Sequence, residues 1–320
     1  MSLVSIIIPN YNNAQWLAKC IVSCLEQEGD FKKEIIIVDD HSTDQSWSLL
    51  KSFKDEFPDE VFIFKNPSKG GNQARHFGFS KSNGEYIQWL DSDDILLAGK
   101  INEQIGHFNT HNSIDIVYSD WRMDHYEGEV KIKEVSNISK EKRCFIESLA
   151  LDEWLPNNTY LLKRKIAGKL HVKNAWNQDR KVAQDREYYM MAAILGARFS
   201  YRSGIFSVYN RWNKGSVSRI GYKKRLVLNL ELDRKLINEI GKQSWIKARK
   251  KKRLVGILKT NSLKSSFYMP SIRLLQPITF NEIQWDCIHP KMKPLIPIIW
   301  LYQSIRFFST ADISSDLSEK

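Results

Sequence analysis

Three aspartates lie within four residues of one another, directly after an apolar segment. Asp91, Asp93 and Asp94 follow the apolar-rich run 86–90, with Ser92 between them. Because neighbouring carboxylates repel one another and burial makes their charge costly, this arrangement favours a bound cation. Hard divalent metals take oxygen ligands of this kind and share them with phosphorylated substrates. The alternative is an acidic turn that caps the next helix, since Asp and Ser are good N-cap residues.

A second acidic cluster begins with Asp39 and Asp40, after the apolar run 34–38. A carboxylate at this position could accept a hydrogen bond from the N3–H of a uracil base. The alternative is a turn in which Ser42 or Asp44 caps the following helix. The two interpretations are compatible, because only part of the cluster is needed as a cap.

A glycine turn with nearby cations precedes the next helix. Gly71 follows Lys69 and Gly70, and Arg75 comes one helical turn later. Helix N-termini favour anions, so this loop could hold a phosphate group. It matches neither the P-loop pattern nor G-x-G-x-x-G. An ordinary glycine turn with a surface arginine is the alternative.

One further carboxylate could act as a general base. Asp185 begins a predicted helix after Trp176 and Asn177, and Asp179 is its nearest competitor. A carboxylate there could accept the proton of a hydroxyl group that it reaches. Simple capping of the helix is the alternative.

These residues sit on a repeated strand–helix pattern, which predicts an open α/β sheet. β-Branched or apolar runs that suit strands buried on both faces occur at 4–9, 34–38, 61–65, 86–90 and 114–119. In such sheets ligands lie beyond the carboxyl ends of the strands. The polar clusters at 9–12, 39–44 and 91–94 fall at those ends, which indicates a single site there.

Charge divides the chain into two regions. The protein has 320 residues and a net charge of +11, and residues 221–320 hold 19 basic and 8 acidic side chains. All of the net positive charge therefore lies in the last hundred residues. We predict a catalytic domain over 1–220 and a basic, mainly helical region over 221–320.

The cysteines and the apolar runs indicate the cellular compartment of the protein. Cys20, Cys24, Cys144 and Cys287 show no zinc or C-x-x-C spacing and are expected to be free thiols in a reducing compartment. Neither a leader peptide nor a run of about 20 apolar residues is visible. We expect a cytoplasmic protein with a peripheral position on the membrane as one option.

Five blocks of sequence lie in order over residues 3–220: SIIIPNYNN, EIIIVDDHSTDQS, NPSKGGNQARHFGFSKSNGEYIQWLDSDD, QDREYYMMAAILGARFSY and YNRWNKGSVSR. Together they resemble the family 2 glycosyltransferases. The resemblance implies the GT-A fold, which is Rossmann-like, with a mostly parallel central sheet and flanking helices. It also implies a nucleotide-diphospho-sugar donor, Mn²⁺ or Mg²⁺ as cofactor, and inversion at the anomeric carbon.

The resemblance also assigns roles to residues. The expected lining of the nucleoside pocket, with its close neighbours, is Pro9, Tyr11, Asp39, Arg75, Asp40 and Gly71. Asp91-Ser92-Asp93 corresponds to the D-x-D motif, with Asp93 as metal ligand, Asp91 nearer the ribose or sugar, and Asp94 assisting. Asp185 matches the family's base, although Gln184 stands where Glu is usual. The family's arginine–histidine pair is replaced at 210–213, where Arg211 is expected to keep the phosphate contact.

The basic C-terminal region has three candidate roles. The run 247–253 lies in a helical pattern with aromatic and aliphatic neighbours, and 294–308 is apolar and aromatic but too short to span a membrane. Both suit an anionic membrane surface. A solvated helix face and a nucleic-acid surface are the alternatives, although the run lacks a recognisable nucleic-acid-binding module.

The leading hypothesis is an inverting glycosyltransferase with a UDP-sugar donor and a glycan or lipid-linked acceptor in cell-surface polysaccharide synthesis. The alternatives are a nucleic-acid-binding protein that uses the basic region and a sugar-phosphate nucleotidyltransferase. The latter normally shows a glycine- and arginine-rich signature after the first strand, which residues 10–13 do not provide. Specificity is expected to lie in 121–177.

Overall fold

The computed structural model of the protein describes residues 1–142, 144–212, 221–268 and 278–308. In the described part the strands are β1 (Ser2–Asn10), β2 (Phe31–Asp39), β3 (Val61–Lys65), β4 (Tyr86–Trp89), β5 (Ile95–Leu96), β6 (Ile116–Glu127), β7 (Val130–Asn137), β8 (Leu161–Lys163) and β9 (Phe199–Trp212). The α-helices there are α1 (Ala14–Leu25), α2 (Ser46–Glu56), α3 (Gly71–Lys81), α4 (Lys100–Thr110), α5 (Phe145–Ala150), α6 (Arg164–Val172), α7 (Gln184–Ile194), α8 (Tyr222–Lys242), α9 (Ala248–Tyr268) and α10 (Ile296–Phe308).

The strands form one mixed sheet in the order β3-β2-β1-β4-β8-β6-β9-β5, with β7 paired to β6. The four strands β3, β2, β1 and β4 are parallel to one another, whereas β8 is antiparallel to both β4 and β6. The side chains of Ile6, Ile7 and Ile8 are all fully buried, as expected for a strand covered on both faces. The predicted α/β fold with flanking helices is confirmed.

The register of the parallel strands brings the polar segments together. Asn10 at the end of β1 lies opposite Asp39 at the end of β2. On the other side of β1, the N–H of Leu90 donates to the carbonyl of Ile7, which directs the segment after β4 to the same edge. The clusters that begin at residues 9, 39 and 91 therefore share one edge of the sheet, as the sequence predicts.

The long strand β9 has a register irregularity opposite Asp120, near residue 204. Gly204 has a φ of +133°, a conformation that residues with a side chain rarely adopt, and its N–H donates to Oδ2 of Asp120 at 3.1 Å. The glycine interrupts the ladder locally, and the strand then continues to Trp212.

The chain divides into two compact units. One comprises Met1–Leu149 and Glu153–Arg219, and the other comprises Ala150–Asp152 and Ile220–Lys320. The second unit contains α8, α9 and α10, and the predicted C-terminal helical region is confirmed. A separate apolar cluster forms part of its core, made by Leu263, Ile278, Ile283, Ile288 and Ile296.

Candidate active site

The acidic turn after β4 is fixed by buried amides. Asp94 is 1% exposed; its Oδ1 accepts from the N–H of Asn210 at 2.9 Å and its Oδ2 from Nδ2 of Asn158 at 3.0 Å. Burial and the charges of Asp93 and Asp91 raise the pKa of Asp94 well above its ordinary value. Because both carboxylate oxygens already accept protein hydrogen bonds, Asp94 joins the acidic turn to β9 and to the turn at Asn158.

Asp93 lies against an indole group. Its Oδ2 accepts a hydrogen bond from Nε1 of Trp212 at 3.1 Å, and its carbonyl accepts one from Nδ2 of Asn210 at 2.5 Å. Burial, together with the charge of Asp91, raises the pKa of Asp93 to about 6. This is the electrostatic conflict that the sequence predicts for crowded carboxylates, and a cation would relieve it.

Arg75 joins the acidic turn to the start of α7. Its Nη2 donates to Oδ1 of Asp91 at 2.5 Å, while Nη1 donates to Asn72 at 3.1 Å and to Gln184 at 3.4 Å. Burial opposes the charge, but Asp91 and Asp185 raise the pKa of Arg75 above its ordinary value. The guanidinium therefore stays charged between two carboxylates.

One face of the Arg75 guanidinium lies over an aromatic ring. The guanidinium carbon of Arg75 lies 4.7 Å from the ring centroid of Trp176, and Trp176 stacks on Tyr188 of α7 at 4.2 Å. A planar cation on an indole face is a favourable arrangement, and it fixes the direction of the guanidinium fork. The buried Nε of Arg75 has no hydrogen-bond partner among the described residues.

Asp185 lies in the first turn of α7. Its Oδ1 accepts a hydrogen bond from Nδ2 of Asn157 at 2.8 Å. Burial and the charge of Asp91 raise the pKa of Asp185 to about 6, although Arg75 and the hydrogen bond from Asn157 act to lower it. A carboxylate with this pKa is well suited to accept a proton near neutral pH.

The end of β2 provides a further buried carboxylate. Asp39 is completely buried and accepts from Lys65 at 2.9 Å, Asn10 at 3.2 Å and the N–H of Ser42 at 3.3 Å. Burial acts to raise its pKa, but these hydrogen bonds outweigh burial and lower it below the ordinary value. Of the other predicted nucleoside contacts, Pro9 is half-buried in β1 and Tyr11 is 50% exposed.

Asp40 shapes the glycine loop. Both of its oxygens accept from the N–H of Gly70 at 2.9 Å, and Oδ1 accepts from Nδ2 of Asn66 at 2.7 Å. Gly70 has a φ of +130°, which favours glycine, and Gly71 then begins α3. The carboxylate of Asp40 therefore holds the loop that leads to Arg75.

Two other predicted site residues, Ser92 and Arg211, differ from each other in their exposure to solvent. Ser92 is buried, and its Oγ accepts from Nδ2 of Asn13 at 2.9 Å, which ties the start of α1 to the acidic turn. Arg211 is exposed on β9, and its phosphate contact stays a prediction. Asn213 and the rest of the last sequence block lie outside the described residues.

Sequence reasoning missed the amides and aromatic rings that fix the carboxylates. Asn157 binds Asp185, Asn158 and Asn210 bind Asp94, and Trp212 binds Asp93. Asn157 and Asn158 belong to the Pro-Asn-Asn-Thr run at 156–159, an unusual density of amides beside apolar residues, and Asn210 and Trp212 belong to the fifth sequence block. All three asparagines are at most 5% exposed, and buried amides are normally committed to hydrogen bonds.

The side chains of the site determine how a metal ion could be held. Within the described ranges, no group of three or more His, Cys, Asp or Glu side chains could hold a metal by itself. Mg²⁺ commonly binds through one or two carboxylates plus substrate phosphates, so a complete protein cage is not required. Asp91 and Asp93, with their crowded charges, fit such a site.

Comparison with known proteins shows the class of protein. The family model described as Glycosyl transferase family 2 matches residues 5–177, more than half of the chain. The chain belongs to this family, and the protein is a glycosyltransferase.

Relatives agree with this assignment. An uncharacterized glycosyltransferase of Haemophilus influenzae is 28% identical over 226 residues, which cover 71% of this chain and 86% of the relative. The Escherichia coli protein named UDP-Glc:alpha-D-GlcNAc-diphosphoundecaprenol beta-1,3-glucosyltransferase WfaP is 38% identical over 125 residues, 39% of this chain and 48% of its own length. The minor teichoic acid biosynthesis protein GgaB of Bacillus subtilis is 34% identical over 115 residues, 35% of this chain and 13% of its own length.

Solved structures share the fold. S. aureus TarS 1-349 in complex with UDP-GlcNAc aligns with a TM-score of 0.66 at 16% identity, covering 96% of this chain and 89% of TarS. The mannosyltransferase PcManGT of Pyrobaculum calidifontis, in complex with GDP-Man and Mn²⁺, aligns with a TM-score of 0.51 at 14% identity. The alignment covers 97% of this chain and 88% of PcManGT. The predicted GT-A fold is confirmed. Among the described helices, none combines the length and apolar character needed to cross a membrane.

Proposed function

We propose that the protein transfers a sugar, with inversion, from a UDP-sugar to a hydroxyl group of a glycan or lipid-linked acceptor in cell-surface polysaccharide synthesis. The observation that carries this proposal is the interaction of the Arg75 guanidinium with two carboxylates that have different expected roles. It donates to Asp91 of the D-x-D motif, and its charge acts on Asp185 at the start of α7. The proposed donor-side carboxylate and the proposed base therefore both interact with one guanidinium group.

The nucleoside would bind at the ends of β1 and β2. The lining that we propose comprises Pro9, Tyr11, Asp39 and Arg75, with Asp40, Gly71 and Ser92 shaping the pocket. The ionised carboxylate of Asp39 suits the N3–H of uracil, because a charged acceptor strengthens the hydrogen bond. Support for UDP comes from the S. aureus TarS complex with UDP-GlcNAc and from the name of the E. coli relative, which gives UDP-Glc.

Asp93 and Asp91 would hold a divalent cation, Mn²⁺ or Mg²⁺. When bound, such a cation stabilises the charge that develops on the leaving diphosphate. The burial and crowding that raise the pKa of Asp93 favour a cation at this position. Arg211 would contribute positive charge to the diphosphate from β9.

Asp185 would act as the general base. It accepts the proton of the acceptor hydroxyl as the hydroxyl oxygen attacks the anomeric carbon, and the bond from that carbon to the diphosphate oxygen breaks. A single displacement needs one base and inverts the configuration, whereas glycosidases use two carboxylates. Asn157 orients the carboxylate through its hydrogen bond to Oδ1.

The C-terminal region 221–320, as a unit distinct from the catalytic domain 1–220, would place the enzyme on the cytoplasmic membrane face, where lipid-linked acceptors lie. The support is α10, which is apolar on two faces. Ile296 is fully buried, whereas Ile298 is 68% and Leu301 is 54% exposed. In the basic run 247–253, Arg253 pairs with Asp286 at 2.5 Å, whereas Lys247, Arg249 and Lys252 are exposed.

A donor screen tests the proposed reaction. UDP-, GDP- and dTDP-sugars, each with and without Mn²⁺, are compared by thermal shift and by slow release of the nucleotide. We expect Mn²⁺-dependent stabilisation by UDP-sugars, its loss in Asp93→Asn and its retention in Asp185→Asn. If no nucleotide stabilises the protein with any metal, or if Asp93→Asn behaves as wild type, the proposal fails.

A further inference from the structure

One large aromatic side chain near the site is unusually open to solvent. Trp154 is 43% exposed, and its ring packs 5.7 Å from Trp121 and 5.8 Å from Tyr209, measured between ring centroids. Trp121 is 5% exposed and meets Tyr209 edge to face at 6.0 Å. A buried indole and a tyrosine therefore hold in place an indole that is itself partly uncovered.

Trp154 and Tyr209 are close in sequence to residues that bind the carboxylates of the candidate active site. Trp154 lies three residues before Asn157, whose amide donates to Asp185. Tyr209 directly precedes Asn210, whose N–H and side chain bind Asp94 and the carbonyl of Asp93. The two aromatic residues thus lie on the same short segments as the amides that bind the carboxylates.

Electrostatics supports the same placement. Burial, followed by the charges of Asp94, Asp93, Asp91 and Asp185, raises the pKa of Tyr209 above its ordinary value. The charges of the acidic turn and of the proposed base therefore act on the phenol of Tyr209.

Trp154 and its neighbours have the chemistry of a sugar-binding surface. The electron-rich face of an indole attracts the weakly positive C–H groups on one face of a pyranose ring, and the ring stacks there without a charged partner. The expected nucleoside residues lie at the ends of β1 and β2, whereas Trp154 lies on the segment that positions the base. The hydroxyl to be activated belongs to the acceptor, so the acceptor is the sugar that must reach this side.

We propose that Trp154, supported by Trp121 and Tyr209, is the surface on which the acceptor sugar ring stacks beside Asp185. This inference rests on the proposed function and adds a residue that determines acceptor binding. A Trp154 that only stabilised the fold would affect donor reactions and acceptor reactions alike. A stacking surface affects acceptor binding alone.

The kinetic test uses the full chain with p-nitrophenyl β-glucoside, β-galactoside and β-N-acetylglucosaminide as acceptors and UDP-glucose or UDP-N-acetylglucosamine as donor, with MnCl₂. We expect Trp154→Ala to raise the acceptor KM about 10-fold or more, and Trp154→Phe about 2- to 3-fold, since phenylalanine retains part of the aromatic face. UDP release without acceptor and UDP affinity should stay unchanged in both variants. Trp245→Ala, which removes a 53% exposed tryptophan from the other unit, is the matched control.

A binding measurement separates stacking from an indirect effect. The ten tryptophans can be replaced by fluorotryptophan, and the fluorine resonance that disappears in Trp154→Phe belongs to Trp154. With UDP and MgCl₂ present, an acceptor glycoside should shift that resonance and leave the resonance of Trp245 in place.

Three results are decisive. A glycoside that is glycosylated but leaves the Trp154 resonance and the Trp154→Ala KM unchanged overturns the inference. The inference is also overturned if none of the three glycosides is glycosylated or shifts the resonance. Failure of the wild-type protein to release UDP from any donor instead removes the proposed function, independently of the resonance.

Discussion

Nη2 of Arg75 lies 2.5 Å from Oδ1 of Asp91, and the other terminal nitrogen of the same guanidinium contacts Asn72 and Gln184. One planar group therefore fixes the acidic turn relative to α7, although these segments are far apart in the sequence. Lysine carries the same charge but cannot provide a rigid fork of donors.

Arg75→Lys should consequently lower kcat/KM for the donor by about 100-fold, because misplacing groups in an active site by about 1 Å has an effect of that size. UDP release measured over a range of donor concentrations gives the value. Lys51→Ala removes an exposed cation from α2 and is the control, with an expected change of less than about 3-fold. Equal activity of wild type and Arg75→Lys would contradict the role given to the guanidinium.

The pH profile should report the ionisation of Asp185. Its pKa is raised to about 6, and the proposed base must be unprotonated, so kcat/KM for transfer should fall as the pH drops through about 6. The hydrogen bond from Asn157 lowers this pKa. Asn157→Leu removes that hydrogen bond and should move the fall in kcat/KM to higher pH. A profile that is identical in wild type and Asn157→Leu would show that another group controls the acid limb.

Much of this site was predictable from the sequence, for a physical reason. Carboxylates at the ends of buried strands must meet at one edge of a parallel sheet, and Asp39 and Asp91 follow such strands. The sequence therefore indicates the fold, the edge of the sheet and the acidic turn.

The partners of the carboxylates were not predictable in this way. Asn157 and Trp212 are remote in sequence from the side chains that they bind, at Asp185 and Asp93. Their contacts depend on the pairing of β8 and β9 with the central strands, and no local pattern specifies such long-range pairing. For the same reason the sequence does not show that both carboxylate oxygens of Asp94 accept hydrogen bonds from Asn158 and Asn210.

Asp185→Asn should separate catalysis from stability. Loss of the base should reduce kcat for transfer by about 100-fold or more, with donor binding retained. The pKa of Asp185 is higher in the folded protein than its ordinary value of 3.8, so this group makes the folded state less stable as the pH rises from about 4 to about 6.

The Asp185→Asn variant lacks that loss of stability. At pH values above about 6 its melting temperature should exceed that of wild type by about 2–4 °C, the change that about 1 kcal/mol makes in a protein of moderate size. Below about pH 4 the two proteins should melt together, because Asp185 is then protonated in both states. Thermal unfolding at several pH values provides the test, and a lower melting temperature of the variant at neutral pH would contradict the direction of this pKa shift.

The exposed face of α10 offers a test of membrane association. The side chains of Ile298, Leu301 and Tyr302 in α10 are 68%, 54% and 47% exposed, and their i, i+3, i+4 spacing places them on one side of the helix. Lys291 and Lys293 precede the helix, and the nearest acidic residue before them is Asp286. An apolar face with adjacent cations suits an anionic lipid surface.

Sedimentation with phosphatidylcholine vesicles, with and without phosphatidylglycerol, measures the binding. The double variant Ile298→Asp and Leu301→Asp should bind vesicles containing phosphatidylglycerol at least about 10-fold more weakly, because it replaces two apolar anchors with charges. Val172→Asp changes an exposed apolar residue in the other unit and should bind as wild type. If the double variant sediments as well as wild type, the apolar face of α10 does not contact lipid. If wild type ignores the vesicles but elutes as a dimer that the double variant abolishes, this face instead joins two copies of the chain.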